Sequence, residues 1–301
     1  MIYPIASITI KIYPMKIDLH IHTKTGSDGN LPIDEVFREA KRRNVDFMSI
    51  TDHDNIEHQE QAFKIASELG ISYISGVELN VTFTYKDKSY SLDFLGYDYD
   101  VNNSALKQKL RSLREHREKR AQQILQKLNK AFDAEGIARF TGEDMANIRN
   151  SVDGSFGRPH IANYLVKKGI VRDKQQAFDK YLVRLDVPKY PLSLEEASQL
   201  IRDAGGVLVH AHPADDKGTS LMEITRNLNA QTDIISQYML EYLDGVECWY
   251  PRSNRTIAAH YTSFAKRNGI IMTGGSDCHQ KPVILGTVNV PSWVADQFKL
   301  D

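Results

Sequence analysis

Seven short apolar segments, each with a histidine or a carboxylate at or near its end, constrain the fold of this chain more than any other feature. The segments span residues 17–22, 47–53, 73–78, 91–95, 207–212, 245–247 and 270–279. Alternate residues of a strand share a face, so His20 and His22 can chelate one ion, and Asp277 and His279 can do the same. A single pair of this kind is as often a surface pair or a satisfied core pair as it is a pair of metal ligands. Its repetition at successive strand ends indicates a metal site at the C-terminal rim of an α/β barrel.

Helical patterns alternate with these segments in the first part of the chain. Helical periodicity covers residues 31–40, and a second helix is expected from Ile56 to Leu69, ending at Gly70. This βαβ order predicts a parallel barrel or sheet. The stretch from about 102 to 190 is highly charged and helical, with no strong strand signal, before a helix at 194–204 restores the pattern. We therefore predict a first barrel part at 1–101, an inserted helical cap at 102–190 and a second barrel part at 191–301.

Composition indicates which binding partners and which cellular compartment are expected. The chain has 38 Lys and Arg against 39 Asp and Glu, so its formal charge of −1 favours no large nucleic-acid partner, and any anion is held locally. Its two cysteines, Cys248 and Cys278, fit neither a disulfide framework nor a zinc ribbon, as expected in a reducing cytosol. No apolar run reaches the roughly 18 residues of a membrane span. Residues 1–14 make a poor signal peptide, so we expect a cytoplasmic protein with no membrane partner.

The ligand types indicate which metals the site prefers. Histidines and carboxylates together favour Mn²⁺, Zn²⁺ or Fe²⁺, because Mg²⁺ seldom binds several histidines. Phosphoester hydrolysis gains most from two or more ions about 3.5–4 Å apart, and such ions share a bridging carboxylate. Glu78, expected at the end of the third strand, is the best candidate for that bridge, and we expect two or three divalent ions. His210 shares a face with His212 and is either a ligand or a satisfied core histidine. Three further histidines are expected on the surface of helices: His58, His116 and His260.

The same residues form motifs that occur in a fixed order. They read DLHIHT, SDG, TDHD, GVE, HAHP and GSDCH, from Ile17 to about Gly286. In order and spacing they resemble the polymerase and histidinol phosphatase (PHP) superfamily of metal-dependent phosphoesterases. The resemblance implies an α/β fold, specifically a distorted seven-stranded (β/α) barrel with the helical cap inserted. The length, the HAHP motif and the segment 158–160 are most similar to bacterial phosphatases and short-oligonucleotide exonucleases that act on nucleoside 3',5'-bisphosphates.

The resemblance also implies which residues bind each ion. The first ion would be bound by His20, His22, Glu78 and Asp277, the second by Glu78 and His212, and the third by Asp28, His53 and His279. Asp18 would orient a metal-bound histidine, and Asp52 would support the site without ligating.

Two positions depart from the family pattern. Related phosphatases usually have a histidine where this chain has Asp93. A carboxylate there can ligate the second ion and favours Mn²⁺ or Mg²⁺ over zinc, whereas the alternative is a charge at the rim with the second ion weak or absent. The spacing from His22 to Asp28 is also one residue longer than expected.

Two segments of the cap carry candidate phosphate ligands. Arg158, Pro159 and His160 open a helix after the sequence Gly-Ser-Phe-Gly, so a guanidinium, an imidazole and a helix N-terminus converge. In the related enzymes this segment reaches the site, and His160 would protonate the leaving oxygen. An ordinary helix start with a solvated arginine is the alternative. On the first cap helix, the resemblance also favours Arg117 and Arg120 as substrate ligands, against a solvated, salt-bridged face.

These observations predict an enzyme, a metal-dependent phosphoric ester hydrolase. We expect a phosphomonoesterase that cleaves a nucleoside 3',5'-bisphosphate or a mononucleotide by attack of a metal-bound hydroxide, with possible action on short oligonucleotides. Histidinol-phosphate phosphatase activity is an alternative that the long cap and the segment 158–160 disfavour. A non-catalytic metal-binding PHP module is a second alternative, disfavoured by the complete ligand set.

Overall fold

The structure, a computed structural model, describes residues 14–151, 157–188, 192–279 and 283–299. The first sheet contains three parallel strands in the order of the chain. These are β1 (Ile17–Ile21), β2 (Phe47–Ile50) and the two-residue β3 (Ser72–Tyr73). Helices α1 (Ile33–Arg42) and α2 (Gln59–Leu69) connect them, and Gly70 ends α2 in the left-handed conformation as expected.

The second sheet has five strands and mixes both pairings. A long antiparallel hairpin is formed by β4 (Gly76–Tyr85) and β5 (Lys88–Tyr97), and β6 (Val207–His210) pairs antiparallel with β5. The strands β7 (Gly245–Trp249) and β8 (Ile271–Gly274) continue the sheet in parallel. Helices α7 (Leu194–Asp203), α8 (Leu228–Tyr238) and α9 (Arg255–Asn268) belong to this half. Three short 3₁₀ turns complete it, Leu221–Glu223, Leu240–Tyr242 and Ser292–Gln297.

Single bridges connect the two sheets. Ile21 pairs with Cys278 and His53 pairs with Glu78, both in parallel. The mixed α/β class is therefore confirmed. The finer expectation of one closed, seven-stranded barrel is not confirmed, since the described residues form eight strands in two sheets, neither of which closes on itself. The extra strand arises because the third expected strand is split, with β3 pairing to β2 and β4 turning away to pair with β5.

Helices fill the chain between β5 and α7. They are α3 (Ser104–Glu135), α4 (Gly142–Asn150), α5 (Arg158–Lys167) and α6 (Lys174–Ala177), followed by a π-helical turn, Phe178–Leu182. The N-terminal half of α3 packs Leu106 and Leu110 into the core of the sheets, whereas its C-terminal half packs Phe132 into a separate core with α5. A helical segment with its own hydrophobic core is thus present, and the exact domain boundaries stay a prediction. No described helix is long and apolar enough to cross a membrane.

Candidate metal centre and phosphate-binding residues

Strand ends bring most of the predicted ligands to one place. His20 and His22 lie at the end of β1, His53 follows β2, and Asp277 follows β8. Glu78 differs from its prediction, because it is the third residue of β4 and not the last residue of the third strand. The split between β3 and β4 explains the difference, and the bridge from Glu78 to His53 still carries its carboxylate to the other ligands.

Two predicted carboxylate ligands of the first ion face the same pair of histidines. Nε2 of His20 and Nε2 of His22 are 3.2 Å apart. Oε2 of Glu78 lies 3.6 and 3.1 Å from these two nitrogens, and Oδ1 of Asp277 lies 3.4 Å from each. Four atoms bound tetrahedrally to one ion at about 2.0–2.2 Å would lie roughly 3.3–3.6 Å apart. The separations among His20, His22 and Glu78 therefore fit a single divalent cation, and Asp277 lies beside the two histidines.

The other carboxylate oxygen of Glu78 faces a second set of donors. Its Oε1 is 3.3 Å from Nε2 of His212, and Asp93 joins these two residues in a group whose donor atoms all lie within 4.8 Å. Asp93 is also hydrogen-bonded, accepting from Asn80 Nδ2 at 2.5 Å and from the hydroxyl of Thr219. Glu78 thus has the geometry of a bridging carboxylate, with one oxygen toward each set.

A third set lies at the more exposed side of the cluster. Oδ1 of Asp28 is 3.4 Å from Nε2 of His279 and 3.9 Å from Nε2 of His53, and His22 lies close enough to join them. The side chains of His53 and His279 are 20% and 29% exposed, whereas that of His20 is fully buried. A ligand from solvent therefore reaches the cluster from the side of Asp28, His53 and His279.

Buried charge in the cluster is mutually compensated. Burial disfavours the charged form of every member, but the surrounding imidazoles hold the pKa of Glu78 and of Asp277 well below the usual range. Against the same burial, Glu78 raises the pKa of His212 to about 9, and Asp28 and Asp277 raise that of His279 to about 10. The carboxylates thus favour positive charge at these positions, which protons or metal cations can provide.

The backbone around the cluster adopts conformations that cost free energy. His212, Asp277 and Asp54 are non-glycine residues with φ of +26°, +48° and +50°. At Gly275, an added Cβ would lie 2.3 Å from the backbone nitrogen of His20, so only glycine allows the loop after β8 to approach β1. Such strain at converging side chains is typical of functional sites.

A further carboxylate orients two of the histidines. Glu247, the third residue of β7, is fully buried, and its Oε1 lies 3.2 Å from Nδ1 of His20. Its Oε2 accepts a hydrogen bond from the backbone N–H of His212 at 2.8 Å. Sequence analysis placed Glu247 in one of the seven segments but gave it no role. The role of Asp18 in orienting a histidine stays a prediction. Its carboxylate accepts from the backbone N–H of His20 at 3.4 Å, and also from those of Ser276 and Gly286, at 2.8 and 2.7 Å.

The contacts of Asp52 agree with the prediction that it supports the site without ligating. Its carboxylate accepts from the backbone and hydroxyl of Thr23, both at 2.7 Å, and from the hydroxyl of Ser27 at 2.5 Å. It also lies 2.9 Å from Nε2 of His58. His58 is therefore buried, and its predicted place on the surface is wrong. His210 is a buried core residue, whose ring stacks on Phe94 and whose pKa burial lowers to about 3. It is not the satisfied histidine of the sequence analysis, because neither ring nitrogen has a hydrogen-bond partner among the described residues.

The cap places its predicted residues around the cluster. Arg117 pairs with Asp54 at 2.5 Å, and the backbone N–H of Asp54 donates to the carbonyl of Glu78 at 3.0 Å. On the other side, His160 and Asp28 line one cavity of about 310 Å³, between residues 24–30 and helices α4 and α5. The side chains of Arg120 and Arg158 do not simply extend into solvent, because both form ion pairs with Asp186. Residues 154–156 of the predicted turn before Arg158 lie outside the described residues.

His160 is held in one orientation by the start of α5. The backbone N–H of Gly157 donates to its Nδ1 at 3.1 Å, so the proton of the neutral imidazole belongs on Nε2. Burial lowers the pKa of His160, although the charge of Asp28 opposes this. The imidazole is therefore mostly neutral near pH 7. This state suits a hydrogen-bond donor to a phosphate oxygen better than an acid that protonates a leaving group.

Comparisons with known proteins agree with this geometry. Residues 18–183 match the PHP domain family. A 3',5'-nucleoside bisphosphate phosphatase of Chromobacterium violaceum is 31% identical over 268 residues, covering 87% of each chain. A 5'-3' exoribonuclease of Haemophilus influenzae is 33% identical over 205 residues, covering 66% of this chain and 69% of that one.

One solved structure resembles the whole molecule. It comes from Bifidobacterium adolescentis and is described as that of a metal-dependent phosphoesterase. Its TM-score with this structure is 0.76, at 25% sequence identity, and the alignment covers 94% of this chain and 95% of that one. The similarity therefore includes both sheets and the helical segment between them.

Proposed function

This chain belongs to the PHP domain family, and from that premise we propose that this metal-dependent phosphoesterase removes a phosphate from a nucleoside 3',5'-bisphosphate or a mononucleotide. The observation that carries the proposal is the shared carboxylate of Glu78, with one oxygen toward His20 and His22 and the other toward His212. Phosphoester hydrolysis by two or more cations requires such a bridge beside a phosphate-sized opening.

We assign the ligands as the sequence analysis predicted. His20, His22, Glu78 and Asp277 would hold one cation, Glu78 and His212 with Asp93 a second, and Asp28, His53 and His279 a third. When bound, these divalent cations would activate a water and neutralise charge on the phosphate. The choice among manganese, zinc and iron stays a prediction, as does the number of ions. Asp93 is the weakest of the proposed ligands, because Asn80 and Thr219 already hydrogen-bond its carboxylate.

Residues of the protein supply binding and orientation in this proposal. Glu247 keeps Nε2 of His20 toward the cluster by contacting the opposite ring nitrogen. His160 donates from Nε2 to a phosphate oxygen at the exposed side of the cluster, next to Asp28. Arg117, Arg120 and Arg158 surround the same side and attract the anionic substrate.

The proposal also includes how the two sheets and the cap are arranged around the cluster. We propose that the two sheets act as one distorted barrel, held together at the bridges Ile21–Cys278 and His53–Glu78. The cap at 102–190 would then cover the exposed side of the cluster. A cytoplasmic location and the absence of a large nucleic-acid partner stay predictions from composition.

Short oligonucleotides are a second candidate substrate. The similarity to the exoribonuclease of Haemophilus influenzae favours it. So does the cavity beside Asp28, which Lys24, Asn163 and Lys167 also line, because cations and amides there can contact a further nucleotide. Histidinol phosphate offers no second phosphate for the cap arginines, and a non-catalytic module has no need of the full ligand set.

A substrate panel tests the proposal. Purified protein, reconstituted with Mn²⁺, Zn²⁺ or Fe²⁺, is assayed for phosphate release from adenosine 3',5'-bisphosphate, adenosine monophosphates and histidinol phosphate. Nucleotide release from a short oligoribonucleotide is measured in parallel. We expect the highest kcat/KM for the bisphosphate. Preference for histidinol phosphate, or no hydrolysis of any substrate with any metal, would refute the proposal.

A further inference from the structure

Asp186 lies between two arginines of the cap. Its Oδ2 accepts from Nη1 of Arg158 at 2.8 Å, and its Oδ1 accepts from Nη2 of Arg120. Arg120 belongs to α3 and Arg158 is the first residue of α5, so one carboxylate joins two helices that are far apart in sequence. No motif or helical period in the sequence points to Asp186.

The carboxylate is itself held in position. The backbone N–H of Val187 donates to Oδ1 of Asp186 at 2.8 Å, and the carbonyl of Val187 accepts from Nε of Arg120 at 2.5 Å. Lys127 donates to the carbonyl of Asp186 at 2.7 Å. The guanidinium of Arg158 lies 5.6 Å from the ring centroid of Phe178, which restricts it further. The two guanidinium groups are thus preorganised and not free to sample many rotamers.

Each arginine of this pair is close in sequence to a cap residue that lies beside the metal-ligand cluster. Arg120 is one turn along α3 from Arg117, whose partner Asp54 is hydrogen-bonded to the backbone of Glu78. Arg158 is two residues before His160, which lines the cavity that contains Asp28. The cap therefore contacts the cluster on two sides, and Asp186 connects those sides.

The charges of this group suit a phosphate. Two guanidinium groups and one carboxylate give a net charge of +1, and each guanidinium has five N–H donors, of which the contacts to Asp186 and Val187 use only a part. Without the carboxylate, two like charges would repel each other, and Arg120 is only 9% exposed to solvent. Asp186 therefore keeps two arginines together in an orientation that can grip one dianion.

We propose that Asp186 is a positioning residue that holds Arg120 and Arg158 as a binding site for the phosphate that is not cleaved. The inference rests on the proposed function, because it deepens the reading of the same site. The cleaved phosphate has to lie among the metal ligands, whereas the described polar contacts of Arg120 and Arg158 are with residues 186 and 187, outside the ligand sets. The pair is therefore placed to select substrates with a second phosphate.

The ratio of two kcat/KM values tests this inference. The ratio for adenosine 3',5'-bisphosphate over 5'-AMP is measured for the parent and for Asp186→Asn, with Mn²⁺ present. The amide offers one acceptor in place of two, so one arginine loses its anchor. We expect the ratio to fall at least about tenfold, mainly through a higher KM for the bisphosphate, since the second phosphate is bound equally before and during the reaction.

Matched variants separate positioning from a general effect on folding. Asp133→Asn removes another Arg–Asp pair of the cap, with Arg139, and should leave the ratio unchanged. Asp186→Glu keeps both acceptor oxygens, so its ratio should lie between that of the parent and that of Asp186→Asn. The Glu variant also provides a test if the Asn variant does not fold. In an Arg158→Ala background, Asp186→Asn should change the ratio by less than about threefold, because most of the effect passes through that arginine.

The outcomes distinguish a failure of the proposed function from a failure of the role of Asp186. A parent protein that cleaves no phosphate ester would overturn the proposed function and this inference together. An active parent whose ratio is unchanged in Asp186→Asn and Asp186→Glu would overturn the inference alone. A raised ratio would also overturn it, because Asp186 would then compete with the phosphate instead of positioning its ligands.

Discussion

The metal-ligand cluster and the arginine group of the cap are built in opposite ways. The cluster uses short side chains at strand ends, and backbone pairing between strands fixes His20, His22 and Glu78 at near-zero exposure. The arginine group consists of Arg117, Arg120 and Arg158, long side chains on two helices. Arg120 is buried and the other two are half-buried, and ion pairs with Asp54 and Asp186 hold them. A cluster built on the strand ends suits chemistry that every substrate shares, whereas a preorganised arginine group on the cap suits discrimination among substrates.

This contrast predicts that substitutions in the cluster affect all substrates, and substitutions in the arginine group affect them selectively.

Glu78→Gln should have the largest effect. The amide loses the charge that faces two sets of donors, so kcat should fall at least about a thousandfold on every substrate, with bound metal reduced. Turnover and metal content are measured after circular dichroism has shown an intact fold. Near-normal turnover, or a loss confined to one substrate, would remove Glu78 from its bridging role.

Glu247→Gln should weaken metal binding without removing a ligand. The carboxylate contacts His20 from behind, and loss of such a partner typically costs about 10–100-fold in metal affinity or activity. Competitive titration with a chelating dye measures the affinity. Exposed Glu241, before β7, provides the control substitution Glu241→Gln. Equal metal affinities for the two variants would contradict the role of Glu247.

Arg158→Ala should reduce kcat/KM for a bisphosphate by about tenfold or more, since a charge-assisted phosphate contact contributes about 1.5–3 kcal/mol. Bound metal should not change, which separates this variant from the two in the cluster. A smaller loss for a monophosphate would assign Arg158 to the phosphate that is not cleaved. Equal losses on both substrates would assign Arg158 to the reacting phosphate. Parental activity on all substrates would show that segment 158–160 only begins a helix and does not bind phosphate.

The metal-free protein should lose stability in mild alkali, which is the smallest of these effects. The pKa of His212 is about 9 and that of His279 about 10, above the usual value near 6.5. Their ion pairs therefore stabilise the fold fully below about pH 6.5, and this contribution is lost as the pH rises through 9 to 10. We expect Tm of the metal-free protein to fall by about 2 °C or more between pH 6.5 and 9.5. A constant Tm would contradict the ion pairs.

The same contrast explains what the sequence could predict. The ligands of the cluster are detectable because strand alternation and a fixed order of motifs reveal them, and the structure brings all nine together in adjoining sets. Glu247 was missed because its partner His20 is 227 positions away, and nothing local marks that contact. The hydrogen bonds of Asp18 with the backbone N–H groups of Ser276 and Gly286 were missed for the same reason.

The ion-pair partners of the cap residues could not be predicted from the sequence either. Arg158 was identified from the helix start, but its ion pair with Asp186 depends on how a loop folds back across α3. The split of the third strand into β3 and β4 also escaped prediction, because one apolar run continues through residues 73–78 while its pairing partner changes. Periodicity reports which face a residue occupies, and it does not report which strand lies beside it.

Metal content per chain tests the central claim most directly. The protein is reconstituted with excess Mn²⁺ or Zn²⁺, freed of unbound metal by gel filtration, and analysed by inductively coupled plasma mass spectrometry together with its concentration. A cluster with three adjoining donor sets that share Glu78 and His22 predicts two or three equivalents per chain. One equivalent or less would contradict the account.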